Sequence, residues 1–125
     1  MDITVEQYQT YLLGHYGGHG QEQSLFMKLV EEMGEVAEVL NMRAGRKAAD
    51  GSDLQERLGS ELADVIHYAV AIAAINGIDL TETILRKDKK AAVKYHHNID
   101  LEGFLLKQQA EKQKHDRFCR RATAG

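Results

Sequence analysis

The chain has no proline, no tryptophan, a single cysteine (Cys119) and aromatic side chains at only 6 % of its 125 residues. With no proline, nothing in the sequence forces a helix to kink or stop, and a composition rich in Ala, Leu, Glu and Lys leans towards helix. A lone cysteine excludes an internal disulfide and a zinc site built from thiolates, and it fits a reducing, intracellular setting. A surplus of basic charge is missing too. The formal net charge is −3, which excludes binding nucleic acid or an anionic membrane through bulk charge. The opening residues MDITVEQYQTYLL have neither the basic start nor the apolar run of a secretory signal. The longest apolar stretch, around AVAIAAI, is too short to cross a bilayer. The expected location is therefore cytoplasmic, with no nucleic-acid and no membrane partner.

What the sequence does contain is helical patterning. A hydrophobic share of 43 % against 28 % charged residues suits one soluble domain with a modest core. Thr4 with Gln7 three residues on forms a capping box, and predicts a first helix to about His15. The segment YGGHG breaks it. A second helix is predicted from Gln21 or Ser24 to about Arg43, followed by the loop AGRKAADGSD. A third begins near Asp53 and ends at Asn76, with Gly77 as its C-terminal cap. Asp79 and Glu82 open a fourth that ends near His96. From Asn98 onward the apolar positions Leu101, Phe104, Leu105 and Phe118 are sparse, so this basic tail is expected as a loosely helical or subunit-contacting extension. The expected fold is all-α, a four-to-five-helix bundle, divided into a helical domain over 1–97 and an extension over 98–125.

The segment KLVEEMGEVAEVLN carries four glutamates close to an apolar face. At about 100° per residue, Leu25, Phe26, Leu29, Met33, Val36, Ala37 and Leu40 form the predicted core stripe of the second helix. Glu32 lies on the edge of that stripe and Glu35 just beyond it. On the third helix the stripe runs Leu58, Leu62, Val65, Ile66, Ala69, Ile72 and Ala73, with Glu61 at its edge and Asp64 beyond. The offset has the same size and hand in both helices. Pairing them would gather four carboxylates into one pocket, where like charges repel unless protons or a cation intervene. Oxygen-only ligands suit Mg²⁺, with Mn²⁺ as a possible substitute, and such sites leave positions open for phosphate oxygens.

Glu31-Glu32-Met33-Gly34-Glu35, a gap, then Glu61-Leu62-Ala63-Asp64 and a downstream Gly77-Ile78-Asp79-Leu80 resemble the MazG-like, all-α nucleoside triphosphate pyrophosphohydrolase family. The resemblance covers about Ser24 to Tyr95. It implies a hydrolase that cleaves a nucleoside or deoxynucleoside triphosphate between the α and β phosphates, giving a monophosphate and pyrophosphate. It also implies metal ligands at Glu32, Glu35, Glu61 and Asp64, and a homodimer or homotetramer whose active site is completed by oligomerisation. Glu38, one turn past Glu35, is the candidate for orienting the attacking water or a second ion, and Glu35 is placed with it as a catalytic candidate. Lys87, Lys90 and Lys94, at i, i+3 and i+7 on the fourth helix, are candidate phosphate contacts, and Tyr68 and Tyr95 candidate pocket residues. Ala91 stands where several relatives have an asparagine.

Two other readings compete. A non-catalytic nucleotide-binding or regulatory helical protein would keep the pocket without turnover, and calorimetry against an activity assay separates the two. A di-metal carboxylate bundle is suggested by Asp64-x-x-His67, but such bundles need two acid-x-x-His elements and this chain has one.

Overall fold

The computed structural model describes residues 1–124, apart from the side chain of His19. Five α-helices follow one another: α1 (Val5–Tyr16), α2 (Glu22–Arg43), α3 (Leu54–Ile75), α4 (Leu80–Lys94) and α5 (Leu101–Thr123). A 3₁₀ turn at His19–Gln21 leads into α2, and the described residues contain no strand. The all-α class expected from composition is the one observed.

Local signals account for most boundaries. The Thr4 side chain accepts from the Gln7 amide while the Gln7 side chain accepts from the Thr4 amide, so the capping box is formed. Gly17 closes α1 at φ 61° and Gly77 follows α3 at φ 64°, a conformation costly for residues with a Cβ. Asp53 caps α3 by accepting from the amides of Gln55 and Glu56. The α2–α3 loop is tied down at both ends, by Lys47 to Glu38 at 2.7 Å and by Arg57 to Asp50 at 3.0 Å.

The chain packs as two units, Met1–Leu80 and the residues from Thr81 onward. These units describe packing. The expected functional division at residue 97 is a separate matter, and its final residue, Gly125, lies outside the described chain. In the first unit α2 and α3 run antiparallel, with Asn76 near the end of α3 donating to Glu22 at the start of α2 at 2.9 Å. Leu12 of α1, Leu25 of α2, and Val70, Ala71 and Ile75 of α3 form the core, flanked by Tyr8, Tyr16, Tyr68, Ile72 and Leu80. Gln9 of α1 locks onto the turn after α3, donating to the Ile78 carbonyl and accepting from the Leu80 amide.

In the second unit, α5 is a full helix of 23 residues, firmer than the sparse pattern suggests. Asp100 caps it, accepting from the Gly103 amide at 2.8 Å. The α4–α5 hairpin is closed by Asp88, which accepts from the Leu101 amide, and by Lys89 paired to Glu102 at 2.8 Å.

Two expectations need correcting. The stripes taken as core are only partly covered: Phe26, Met33 and Leu40 on α2, with Leu62 and Ile66 on α3, are 44–55 % exposed. Three helices have too few faces to cover both sides of the α2–α3 pair, so one side stays open. The second concerns apolar length. By length and composition alone α3 is long and apolar enough to cross a membrane, although the run within it looked too short. Its C-terminal half instead buries Val70, Ala71, Ala73, Ala74 and Ile75.

Candidate metal centre

Facing turns of α2 and α3 bring three of the four predicted carboxylates together. Glu32, Glu61 and Asp64 each offer an oxygen, and these oxygens all lie within 4.8 Å of one another. Glu32 and Glu61 are half-buried and Asp64 is exposed. The fourth, Glu35, adjoins Glu61. Hydrogen bonding to Glu32, then desolvation by burial, then hydrogen bonding to Glu35 and repulsion by both carboxylates push the Glu61 carboxyl up from 4.5 to about 7. Without a cation, like charges at this range favour proton uptake, which is why the Glu61 carboxyl is raised.

The donor set fits a hard divalent cation. All its members are carboxylate oxygens, the ligands preferred by Mg²⁺ and Mn²⁺, and none is the thiolate or imidazole that zinc or copper favours. A second fit lies in charge: the raised Glu61 carboxyl marks a surplus of negative charge that a cation would remove.

The other predicted residues fall elsewhere. Glu38, one turn past Glu35, is engaged by Lys47, whose hydrogen bond holds its carboxyl below the usual range. Glu31 pairs with Lys28 at 3.2 Å across one turn. Tyr68 packs against the core cluster and sets its ring edge-on to His67, centroids 5.0 Å apart. Lys87, Lys90 and Lys94 are exposed on α4 in the second unit. The Lys94 ammonium lies 5.3 Å from the centre of the Tyr95 ring, and that ring stacks on His97.

One feature beside the cluster was missed. His67, one turn past Asp64, has both ring nitrogens engaged by tyrosines of α1: Tyr16 Oη is 2.5 Å from Nε2 and Tyr8 Oη 3.2 Å from Nδ1. His67 is thus turned to α1 and is not one of the clustered groups Glu32, Glu61 and Asp64. The signal was present as Tyr8, Leu12 and Tyr16, spaced i, i+4, i+8 on one face of α1. Which helix that face meets cannot be read from spacing.

The model of the MazG nucleotide pyrophosphohydrolase domain matches residues 20–98. Among curated proteins none matches this chain. The crystal structure of iMazG from Vibrio DAT 722 is similar, with a TM-score of 0.53 and 28 % sequence identity, covering 78 % of this chain and 100 % of that one. The matched span contains the whole of α2 and α3, and with them every carboxylate of the cluster. By that match over more than half its length, the chain belongs to the MazG nucleotide pyrophosphohydrolase domain family.

Proposed function

We propose that this protein hydrolyses a nucleoside or deoxynucleoside triphosphate at the α–β bond, releasing a monophosphate and pyrophosphate, in a reaction that requires Mg²⁺ or Mn²⁺. The observation that carries this reading is the convergence of Glu32, Glu61 and Asp64 from two helices onto one small volume, where Glu32 and Glu35 push the Glu61 carboxyl up to about 7.

Glu32, Glu61 and Asp64 would hold the cation, with Glu35 completing the set or working at its edge. A bound Mg²⁺ supplies charge neutralisation to the triphosphate and Lewis acidity at the reacting phosphoryl oxygens. The chain's own groups do the rest. Fixed carboxylates on two rigid helices orient the substrate, and positioning carries much of the barrier reduction in phosphoryl chemistry. A carboxylate at the rim accepts the proton of a water whose oxygen attacks the α-phosphorus. The bond from that phosphorus to the bridging oxygen breaks, and its electron pair leaves with pyrophosphate. Glu35 suits this task because it adjoins Glu61 without belonging to the tight trio. Glu38 could share it only on release from Lys47. The phosphate-contact role of Lys87, Lys90 and Lys94 rests on their charge and shared stripe, and that of Tyr95 as a pocket residue on the resemblance.

Residues 1–97 are taken as the hydrolase domain and 98–125 as an extension. The open flank of Phe26, Met33 and Leu40 with Leu62 and Ile66 supports a homodimer or homotetramer, because a row of half-exposed large apolar side chains on paired helices marks an association face. The test of the activity is pyrophosphate release from a panel of nucleoside triphosphates with Mg²⁺ present. Glu35→Gln and Asp64→Asn should abolish turnover while helical content survives. Wild-type protein that releases no pyrophosphate from any of them would refute the reading.

A further inference from the structure

Charge is divided unevenly between the two packing units. Met1–Leu80 holds 13 Asp and Glu against 5 Lys and Arg, a net of −8, whereas residues 81–125 hold 6 against 11, a net of +5. Each unit also leaves apolar side chains uncovered. On the first, Phe26, Met33 and Leu40 of α2 stand at steps of seven residues and are 47–55 % exposed. That spacing lays them in one row, the arrangement by which one helix meets another. At the head of the row Glu22, Gln23, Phe26, Met27 and Ile72 line a groove of about 530 Å³.

On the second unit, Ile99, Phe104 and Leu106 at the turn of the α4–α5 hairpin are 49–60 % exposed. Ile99 lines two grooves, one of about 520 Å³ with Lys89 and Val93, the other of about 330 Å³ with Phe104 and Lys107. The turn is pinned by Asp88 on the Leu101 amide, by Lys89 on Glu102, and by a Gly103 whose added Cβ would stand 3.1 Å from the Ile99 side chain. Ile99 and all of α5 lie beyond the span 20–98 that the family model matches, so this surface is an addition to the domain.

We propose that the α4–α5 turn of one copy docks on the α2–α3 flank of a second copy, with Ile99 and Phe104 entering the groove beside Phe26 and Lys107 reaching Glu22. This rests on the reading of that flank as an association face and names what covers it. Both apolar surfaces are exposed in a single chain. Flank against flank would bring together two units of −8, whereas turn against flank joins +5 to −8, and interfaces set opposite potentials face to face. A nucleic acid or an anionic membrane would answer the hairpin's charge and leave the Phe26 row open. Two copies related by a twofold axis make the contact twice, each giving its turn and receiving the other's.

The experiment measures the mass of the full chain by light scattering across a concentration series. Wild type should associate, and Phe104→Glu and Phe26→Glu should each weaken association by at least about thirtyfold with helical content unchanged. Mixed in equal amounts, the two variants should recover part of the association, because each supplies the surface that the other lacks. Lys107→Glu should weaken association too, and Glu22→Lys combined with it should restore it. A carbodiimide cross-link between Lys107 and Glu22 in mixed ¹⁴N and ¹⁵N chains should join peptides of unlike label. A Phe104→Glu protein that keeps its mass while Phe26→Glu loses it, a mixture that recovers nothing, or cross-links only between peptides of like label overturns the proposal and leaves the association face standing. Wild type that stays monomeric overturns that face and the proposal with it, a failure seen before any substitution.

Discussion

A cation that binds Glu61 must displace the proton held there. With that carboxyl at about 7, roughly half the molecules carry the proton at pH 7 and about nine in ten at pH 6. The apparent affinity for Mg²⁺ or Mn²⁺ should then be near its ceiling above about pH 8 and fall about tenfold per pH unit once the pH drops below about 6. Between pH 8 and pH 5 the loss comes to about a hundredfold, whereas a glutamate titrating at its ordinary value would cost less than about twofold over that range. Calorimetry in two buffers of different protonation enthalpy reads the same event as protons: about half a proton released per ion at pH 7, nearly one at pH 6, and almost none above pH 8. Glu61→Gln should remove both the proton release and most of the affinity. An affinity that stays flat from pH 8 to pH 5.5, with no proton released, would refute the claim that Glu32 and Glu35 hold a proton on Glu61.

The same carboxyl gives the metal-free chain a pH-dependent stability. Its folded value lies above its unfolded one, so its contribution is complete below about pH 4.5 and is lost as pH rises through about 7. The melting temperature without metal should fall over that window and recover when Mg²⁺ is added. The lowered carboxyls of Glu38 and Asp50 act at more acid pH, where their pairing with Lys47 and Ser52 is lost on protonation. Leu12→Ala removes a fully buried side chain at the junction of α1 with α2 and α3; urea unfolding should show a loss of about 2–5 kcal/mol. Met33→Glu changes a residue already 55 % exposed within one chain. Light scattering should show it breaking an oligomer while far-UV circular dichroism stays unchanged, and an unaltered mass would remove that flank from the association face.

Much of this was legible because it is local. The capping pair Thr4–Gln7, the start near Asp53 and the stop at Gly77 each depend on residues within one turn, and each helix edge they imply is found. The acidic cluster was legible for a related reason: Glu32 and Glu61 share one offset from their stripes, so any antiparallel pairing over those edges brings them together. What spacing alone does not contain is which neighbour a face meets. Met33, Leu40, Leu62 and Ile66 have core periodicity, yet nothing in one chain says whether the covering helix comes from that chain or from another. The Tyr8–His67–Tyr16 network is hidden for the same reason, since it depends on how α1 lies against α3. Helix α5 was under-read because its apolar residues are few; the Asp100 cap and a run of good helix formers sustain it with no buried residue at all.

The most direct measurement is anomalous scattering from crystals soaked in Mn²⁺. A peak between Glu32, Glu61 and Asp64, with Glu35 alongside, is the expected result. A well-ordered lattice showing those side chains turned apart and no anomalous density among them would contradict it.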